Sequence, residues 1–203
     1  MEKTNLSTKN LQVILASSSQ TRVKQIKKIF KTAIVTNHLV NEEKVKNENN
    51  ELSPEKLVVL IAKLKAESLM HKYEEELIIG SDQLLVFRRK IISKPKSLKE
   101  AQKNLLRISG KEHTLLSSVY VIKRKRHYFN EVKKARIFFK LLTEDEIEEY
   151  VEKNKKTVLS TVGSYKIEEN QKYNFVKILS GDMETILGFP VKSLIEKINQ
   201  EKK

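Results

Sequence analysis

The stretch that decides the fold is Leu77-Ile78-Ile79-Gly80-Ser81-Asp82-Gln83-Leu84-Leu85-Val86, in which one acid stands between two apolar runs. The apolar residues are typical of a buried strand, because the run is too short for a membrane span and contains a glycine. A buried carboxylate is costly unless a metal, a cation or hydrogen bonds compensate it. Asp82 is therefore a candidate for chemistry. The alternative is an aspartate at a strand end that caps nearby backbone N–H groups.

The segments before this strand alternate between strand and helix patterns. Residues 13–16 are predicted to form a buried strand, and helical spacing of Val23 and Ile26 predicts a helix after it. Residues 41–52 are charged and rich in asparagine, which predicts a loop. Ser53-Pro54 predicts a helix start, with serine as the cap and proline at the first position. Residues 1–10 are polar and are predicted to be irregular.

The segments after this strand complete a mixed pattern. The predicted elements are strands over residues 91–92, 115–122, 135–141 and 175–179, and helices over residues 98–108, 143–153 and 191–198. Strands alternate with helices early in the chain and pair locally later. This order predicts an α/β fold with a mixed central sheet and flanking helices, in a single domain over residues 1–203.

Composition limits the chemistry that the chain can carry. The 203 residues include no cysteine, which excludes a disulfide, a thiol nucleophile and a thiolate metal site. The four histidines show no metal-ligand spacing, so any metal must be a hard ion held by oxygen. No apolar run approaches the roughly 18 residues of a membrane helix, and the first residues lack the apolar core of a signal peptide. We expect a cytoplasmic protein with no membrane partner.

The net charge of +14 raises the question of a nucleic-acid partner. Only seven of the 40 basic residues are arginine, and aromatic residues make up 6% of the chain, which favours neither base reading nor stacking. The densest basic patch, Lys123-Arg124-Lys125-Arg126, is predicted to be a solvated hairpin turn. We expect no stable nucleic-acid partner, and a basic RNA-binding module ranks last among the functional hypotheses. A phosphate-bearing small molecule also suits this charge.

Three groups of polar residues could carry chemistry. Ser17 to Ser19, with Arg22, lie where the first predicted strand is followed by a helix. Serine hydroxyls, the free N–H groups of a helix start and the guanidinium could hold a phosphate there. The alternative is that the serines only cap the helix. Glu42 and Glu43 could join Asp82 in holding Mg²⁺ or Mn²⁺, or could face solvent.

The third group is cationic. Lys65 on its predicted helix and Lys94 before Pro95 could neutralise charge on phosphate oxygens during displacement. The alternative for Lys65 is a surface lysine whose aliphatic part lies along the helix. Spacing alone favours the surface interpretation of Lys65.

Taken together, the motifs resemble those of the Maf family of nucleoside triphosphate pyrophosphatases, from Val13 to about Leu194. The segments that carry the resemblance are Leu15-Ala16-Ser17-Ser18-Ser19 with Arg22, Asn41-Glu42, Ala62 to Ala66, Ile79 to Gln83, Ser93-Lys94-Pro95, Leu106 to His113, Gly163-Ser164-Tyr165, Gly181-Asp182 and Gly188-Phe189-Pro190. Each motif alone is weak, and their order along the chain makes the resemblance specific.

The resemblance implies a fold with two lobes around a nucleotide-binding cleft, similar to inosine triphosphatase, and a protein that is often a homodimer. It implies hydrolysis of a nucleoside triphosphate to the monophosphate and pyrophosphate with a divalent cation, Mg²⁺ or Mn²⁺. Asp82 matches the catalytic proton acceptor. The other matched positions are Ser17, Arg22, Lys65 and Lys94 for substrate binding, and Glu42 with Asp82 for the metal.

Three positions bear on the substrate. Gln83 and Glu168 resemble the branch that acts on 7-methyl-GTP more than the branch that acts on dTTP and UTP, whereas Thr21 matches neither. We therefore expect a non-standard or modified nucleotide, removed before it enters nucleic acids. The alternative, from the older description of the family as septum-formation inhibitors, is a regulatory nucleotide-binding protein of cell division without essential catalysis.

Overall fold

The computed structural model describes residues 12–201, so the predicted irregular segment over residues 1–10 lies outside the described residues. The strands are β1 (Val13–Ala16), β2 (Ile34–Thr36), β3 (Leu77–Phe87), β4 (Lys90–Ile92), β5 (Glu112–Lys123), β6 (Arg126–Phe139) and β7 (Val176–Ser180). The helices are α1 (Gln20–Ile29), α2 (Glu42–Glu48), α3 (Pro54–Glu67), α4 (Leu98–Ile108), α5 (Glu144–Lys153), α6 (Lys155–Ser160), α7 (Asn170–Tyr173), α8 (Met183–Ile186) and α9 (Lys192–Gln200), with a 3-10 turn at Ile167–Glu169.

The strands form one mixed sheet in the order β2-β1-β3-β5-β6-β7, and β4 pairs with β3. β1 is parallel to both β2 and β3, whereas β4 is antiparallel to β3 and β7 is antiparallel to β6. The predicted α/β fold with a mixed central sheet and flanking helices is confirmed. None of the helices within residues 12–201 is both long and apolar enough to cross a membrane.

The chain divides into two compact units, and the first comprises residues 12–82 of the described range, Ser118–Val132 and residues 188–201. Its strand β1 is buried on both faces, which explains an unbroken apolar sequence. Val13 and Leu15 lie in a cluster with Ile26 of α1, whereas Ile14 and Ala16 pack with Ala66 of α3. The two faces of this strand therefore hold α1 and α3 in place.

Gly80 brings β3 and α3 close together in this unit. A Cβ atom at Gly80 would lie 2.0 Å from the backbone oxygen of Ala62 and 2.7 Å from the backbone nitrogen of Ala66. Real side chains do not approach backbone atoms so closely, so glycine is required here. The contact fixes Lys65, which precedes Ala66, relative to the strand that carries Asp82.

The second unit comprises Gln83–Ser117 and Lys133–Leu187. Its core combines aliphatic residues of α4 and α5 with an aromatic group that includes Phe139, Tyr165 and Phe175. The Nε2 atom of His113 lies 2.6 Å from the hydroxyl oxygen of Tyr165, and both side chains are buried. Burial lowers the pKa of His113 to about 4 and raises the pKa of Tyr165 above its ordinary value.

Two expectations about local structure need correction. Residues 41–52 were expected to form a loop, but Glu42–Glu48 form helix α2. This short helix buries none of its residues, so its sequence has no periodic apolar positions. It is stabilised by Asn41, whose side chain accepts a hydrogen bond from the Lys44 backbone, and by acidic residues in its first turn. The hairpin strands β5 and β6 are longer than predicted, because the exposed, charged residues of β6 hide its alternation.

The basic hairpin turn is confirmed. Arg124 and Lys125 both have positive φ angles, 51° and 60°, as a tight two-residue hairpin turn requires. Both side chains form ion pairs with exposed acids: Arg124 with Glu75 at 3.2 Å and Lys125 with Glu74 at 2.7 Å. These acids partly offset the positive charge of the turn.

Candidate active site

Lys65 is the centre of a charged cluster in the first unit. It lies in the last turn of α3, a helix that begins as predicted, with the Ser53 side chain as cap and Pro54 as its first residue. The side chain of Lys65 is only 2% exposed. Its Nζ atom lies 2.7 Å from Asp82 Oδ1 and 2.6 Å from Glu42 Oε1. One ammonium group therefore joins two carboxylates that are 40 residues apart in the sequence.

Asp82 lies on β3 and is 4% exposed. Its Oδ1 atom accepts the hydrogen bond from Lys65, whereas its Oδ2 atom is buried and has no hydrogen-bond partner among the described residues. Because buried polar atoms in native proteins are nearly always paired, this oxygen points to a ligand. A cation or the proton of a water molecule would satisfy it.

Arg22 supplies the second cation of the cluster. It lies on α1 and is 8% exposed, and its guanidinium donates hydrogen bonds to two backbone oxygens: Nε to Gly188 at 2.9 Å and Nη1 to Ser81 at 2.8 Å. The Ser81 hydroxyl also donates to the Gly188 oxygen, at 3.0 Å. Arg22 therefore fixes the backbone immediately before Asp82.

The charges of the cluster balance, because two cations lie with two carboxylates. Burial lowers the pKa of Arg22 below its ordinary value, and the nearby carboxylates of Asp82 and Glu42 act in the opposite direction. An arginine remains charged despite such a shift. The buried charges are therefore compensated within the cluster, which makes their presence in an apolar interior tolerable.

Ser17 follows β1 and is buried. Its hydroxyl oxygen accepts a hydrogen bond from the Ser19 backbone at 3.1 Å, and its backbone N–H donates to Thr36. The serine is thus part of the turn that leads into α1. A cavity of about 400 Å³ adjoins this turn. Its lining residues are Ser17, Ser18, Gln20, Val23, Val35, Thr36 and Asn37.

Helix α2 presents Glu42 to Lys65. Glu42 is the first residue of this helix, and its Oε1 atom also lies 3.5 Å from His38 Nε2. Glu43 is exposed, because consecutive residues of a helix point in different directions. Within residues 12–201, no group of three or more histidine, aspartate or glutamate side chains is arranged to hold a metal ion.

The remaining predicted site residues differ in burial and in the unit to which they belong. Thr21 is half-buried on α1, next to Arg22. Lys94 and Glu168 belong to the second unit and are exposed: Lys94 follows β4, and Glu168 lies in the 3-10 turn Ile167–Glu169. Gln83 is half-buried in the same unit. The residues that the structure brings together are Arg22, Glu42, Lys65 and Asp82.

Sequence reasoning did not assign a role to three residues of this cluster. Ser81 and Gly188 supply the backbone oxygens that Arg22 binds, and His38 lies beside Glu42. Gly188 has a φ angle of 81°, a conformation that favours glycine. The motif Gly188-Phe189-Pro190 is the sequence feature that could have indicated the role of Gly188 as a partner of Arg22.

The chain is an α/β protein with a mixed sheet, and a buried aspartate of this sheet lies close to a lysine and an arginine. A family model described as Maf-like protein matches residues 12–201. The chain therefore belongs to the Maf-like protein family, and the resemblance stated from the motifs is confirmed.

Relatives of similar length support this assignment. The chain is 34% identical over 187 residues to a nucleoside triphosphate pyrophosphatase of Pelagibacter ubique, covering 91% of this chain and 95% of the relative. It is 32% identical over 186 residues to a 7-methyl-GTP pyrophosphatase of Bartonella henselae, covering 92% and 93%. Among solved structures, the comparison with the Staphylococcus aureus Ham1 protein covers 95% of this chain and 100% of the Ham1 chain. The TM-score is 0.45 and the sequence identity is 13%.

Proposed function

We propose that this chain is a nucleoside triphosphate pyrophosphatase, which hydrolyses a non-standard or modified nucleoside triphosphate to the monophosphate and pyrophosphate and so keeps it out of nucleic acids. The observation that carries the proposal is the buried contact of Lys65 with Asp82 and Glu42 in a member of the Maf-like family. The names of the relatives agree with this reaction. They do not favour a regulatory protein without catalysis.

The cluster fits a divalent cation. Carboxylate oxygens are the ligands that Mg²⁺ and Mn²⁺ prefer, and Asp82 Oδ2 is a buried oxygen without a partner in the described part of the chain. Glu42 reaches the same lysine as Asp82 and would be the second ligand. When bound, such an ion would stabilise negative charge on phosphate oxygens.

The side chains themselves suit the displacement. Asp82 would accept the proton of the water that attacks the α-phosphorus. Lys65 would hold the carboxylate in one orientation, and Arg22 would hold the backbone of Ser81 beside it. A fixed acceptor loses little free energy to reorganisation during the reaction.

Substrate binding is assigned to the residues that match the family motifs. Ser17 would contact phosphate at the start of α1, Arg22 and Lys65 would add positive charge, and Lys94 would bind the phosphate chain. Thr21 and Glu168 are the proposed contacts for base choice. Gln83 is the third proposed specificity residue, and its side-chain nitrogen donates to the Ser117 hydroxyl and to the backbone oxygens of Thr185 and Ile186.

Three further parts of the proposal concern the whole protein. Residues 1–203 would act as a single Maf-like domain, which the match over residues 12–201 supports. The homodimer and the cytoplasmic location stay predictions.

The test is a substrate panel. Purified protein is incubated with Mg²⁺ or Mn²⁺ and each of 7-methyl-GTP, GTP, UTP, dTTP and CTP, and pyrophosphate is measured. We expect release from at least one nucleotide, with 7-methyl-GTP favoured over dTTP and UTP. A folded protein that releases pyrophosphate from none of them would contradict the proposal.

A further inference from the structure

The 3-10 turn Ile167–Glu169 places the exposed Glu168 between two side chains that contact the rest of the second unit. Ile167 packs against the hydrophobic core of this unit, and the half-buried Glu169 accepts hydrogen bonds from other elements. Because a 3-10 helix has three residues per turn, successive side chains point in directions about 120° apart. Since Ile167 and Glu169 are directed inward, Glu168 is directed outward.

Both carboxylate oxygens of Glu169 are bound by hydroxyl groups of separate helices. Tyr150 of α5 donates to Oε2 at 2.8 Å, and Thr157 of α6 donates to Oε1, also at 2.8 Å. A carboxylate only accepts hydrogen bonds, so the direction of both bonds is determined. Hydrogen bonds to an ionised acceptor are stronger than those between neutral groups. Glu169 therefore joins the turn to α5 and α6.

The hydroxyl of Tyr150 is a fixed point for the turn. Its ring meets those of Tyr173 and Phe175 edge to face, with ring centroids 4.9 Å apart in both pairs, and its side chain is 3% exposed. Burial, followed by the carboxylate of Glu169, raises the pKa of Tyr150 above its ordinary value. The hydroxyl therefore keeps the hydrogen that it donates to Glu169.

The residue after Glu169 is fixed as well. The side chain of Asn170 donates from Nδ2 to the backbone oxygen of Val176 and accepts at Oδ1 from the backbone nitrogen of Val176, both at 2.8 Å. Glu168 is therefore preceded by a residue packed on the core and followed by two residues whose side chains are hydrogen-bonded. These contacts restrict the direction in which Glu168 points.

We propose that Glu169 is a positioning residue, which fixes the 3-10 turn to α5 and α6 and so sets the direction in which Glu168 meets the base of the nucleotide. The inference rests on the proposed function, because it requires that Glu168 contact the base. A carboxylate suits 7-methylguanine, which presents N–H donors on its Watson–Crick edge and carries positive charge, better than uracil, whose single N–H lies between two carbonyl oxygens. The choice between these bases depends on where the carboxylate of Glu168 lies.

The test removes the two hydroxyls that hold Glu169. Tyr150→Phe/Thr157→Val keeps the approximate size of both side chains. We expect the ratio of kcat/KM for 7-methyl-GTP to that for UTP to fall by about 5- to 50-fold, within the range that a well-placed contact to a base edge discriminates. KM for 7-methyl-GTP should account for most of the change, with kcat within about threefold of wild type, because contact with the base binds ground state and transition state alike. An unchanged ratio overturns the positioning role.

Three further variants separate this role from a general loss of structure. Thr157→Val alone should lower the ratio less than the double variant, and it keeps the test decisive if the double variant folds poorly. Tyr150→Phe/Thr157→Ser keeps one hydroxyl and should recover part of the ratio. Glu149→Gln, at an exposed acid paired with Lys153 on α5, should match wild type. An equal fall of the ratio in Glu149→Gln overturns the proposal.

A double-mutant cycle with Glu168→Gln tests whether the hydroxyls act through Glu168. In a Glu168→Gln background, Tyr150→Phe/Thr157→Val should change the ratio by less than about twofold, because the contact that the hydroxyls position is already lost. An undiminished effect in that background shows that the hydroxyls act by another route and overturns the proposal.

Amide hydrogen exchange gives a readout that needs no turnover. The backbone N–H groups of Glu169 and Asn170 donate to the backbone oxygens of Lys166 and Ile167, so their exchange reports on opening of the turn. Exchange at both amides should be faster in the double variant than in wild type and unchanged in the exposed control. Unchanged exchange in the double variant refutes the attachment of the turn.

The two readouts separate failure of this inference from failure of the proposed function. If wild type hydrolyses no nucleotide, the proposed function fails and the role in base choice fails with it, whatever the exchange rates. If wild type is active and exchange is faster in the double variant, but the ratio is unchanged, the positioning role is refuted and the proposed function stands.

Discussion

The ammonium nitrogen of Lys65 lies 2.7 Å from Oδ1 of Asp82, and the two side chains are 2% and 4% exposed. The same nitrogen lies 2.6 Å from Glu42. A buried charge that loses its partner cannot regain water, so removing Lys65 leaves a buried carboxylate uncompensated. The lysine therefore contributes to folding as well as to the arrangement of the acids.

The first prediction concerns stability. Lys65→Met should lower the free energy of unfolding by about 3–5 kcal/mol, the usual cost of breaking a buried ion pair from one side. Urea unfolding at neutral pH measures it. Lys63→Met is the matched control on the same helix, because Lys63 pairs with Glu67 at 3.7 Å and both side chains are partly exposed to solvent. That control should cost less than about 0.5 kcal/mol. An equal decrease in the free energy of unfolding in the two variants would show that the buried pair stabilises the protein no more than the partly exposed one.

The second prediction concerns the close approach at Gly80. Gly80→Ala places a Cβ atom 2.0 Å from the Ala62 backbone oxygen, so β3 and α3 must move apart. We expect a loss of about 3 kcal/mol or more, together with lower turnover, because Lys65 and Asp82 move with these elements. Thermal and urea unfolding measure the loss.

Gly110→Ala is the comparison for Gly80. Gly110 has a φ angle of 70°, and the atom nearest to an added Cβ would be Leu141 Cδ1, at 3.2 Å, the end of a side chain. This variant should cost about 1 kcal/mol through backbone strain. A larger loss for Gly110→Ala than for Gly80→Ala would contradict the account of the β3–α3 contact.

Part of the fold could be predicted because sequence pattern and burial coincide. β1 and α3 were predicted at their observed positions, since a strand buried on both faces is continuously apolar and α3 begins at a serine followed by proline. Helix α2 was missed because it buries no residue and so has no apolar period. Its only signals were Asn41 as a cap and acids in the first turn, and these also occur in loops.

The sequence allowed the residues of the site to be named, but it could not show which of them are in contact. An acid within an apolar strand marked Asp82, but no local pattern could show that Lys65 and Glu42 meet at it. Nor could a local pattern show that the guanidinium of Arg22, a proposed phosphate ligand, also binds the backbone oxygens of Ser81 and Gly188. Such contacts join residues as far apart as 166 positions, so they depend on the fold and leave no trace in spacing.

The third prediction follows from this use of Arg22. Arg22→Lys keeps the charge but supplies one donor group in place of the rigid guanidinium, so it cannot bind both oxygens in the same way. We expect a loss of about 1–3 kcal/mol, because a buried oxygen is left without its donor. Arg136→Lys, at an exposed arginine paired with Glu112, should lie within about 0.5 kcal/mol of wild type. No difference between these variants would argue against the anchoring role of Arg22.

The fourth prediction concerns pH and His113. The pKa of His113 is about 4 in the folded protein, because of burial, and about 6.5 in the unfolded chain. Between these values the unfolded chain binds a proton that the folded protein does not, so stability falls as the pH falls through this window. His113 should contribute a loss of about 2 kcal/mol between pH 7 and pH 5.

Urea unfolding at the two pH values, on wild type and two variants, tests this contribution. His113→Gln, which can still bond to Tyr165, should lose about 2 kcal/mol less than wild type on acidification. His127→Gln replaces an exposed histidine and should keep the dependence of wild type. Identical pH dependence in wild type and His113→Gln would mean that His113 does not titrate as its burial requires.

The most direct test of the proposed chemistry is hydrolysis in ¹⁸O-labelled water by wild type and by Asp82→Asn, with the products analysed by mass spectrometry. Attack on the α-phosphorus predicts one ¹⁸O atom in the nucleoside monophosphate and none in the pyrophosphate. Asp82→Asn should keep nucleotide binding and lose turnover by about 100-fold or more, because asparagine cannot accept the proton. Label in orthophosphate or pyrophosphate, or unchanged turnover in Asp82→Asn, would contradict the central claim.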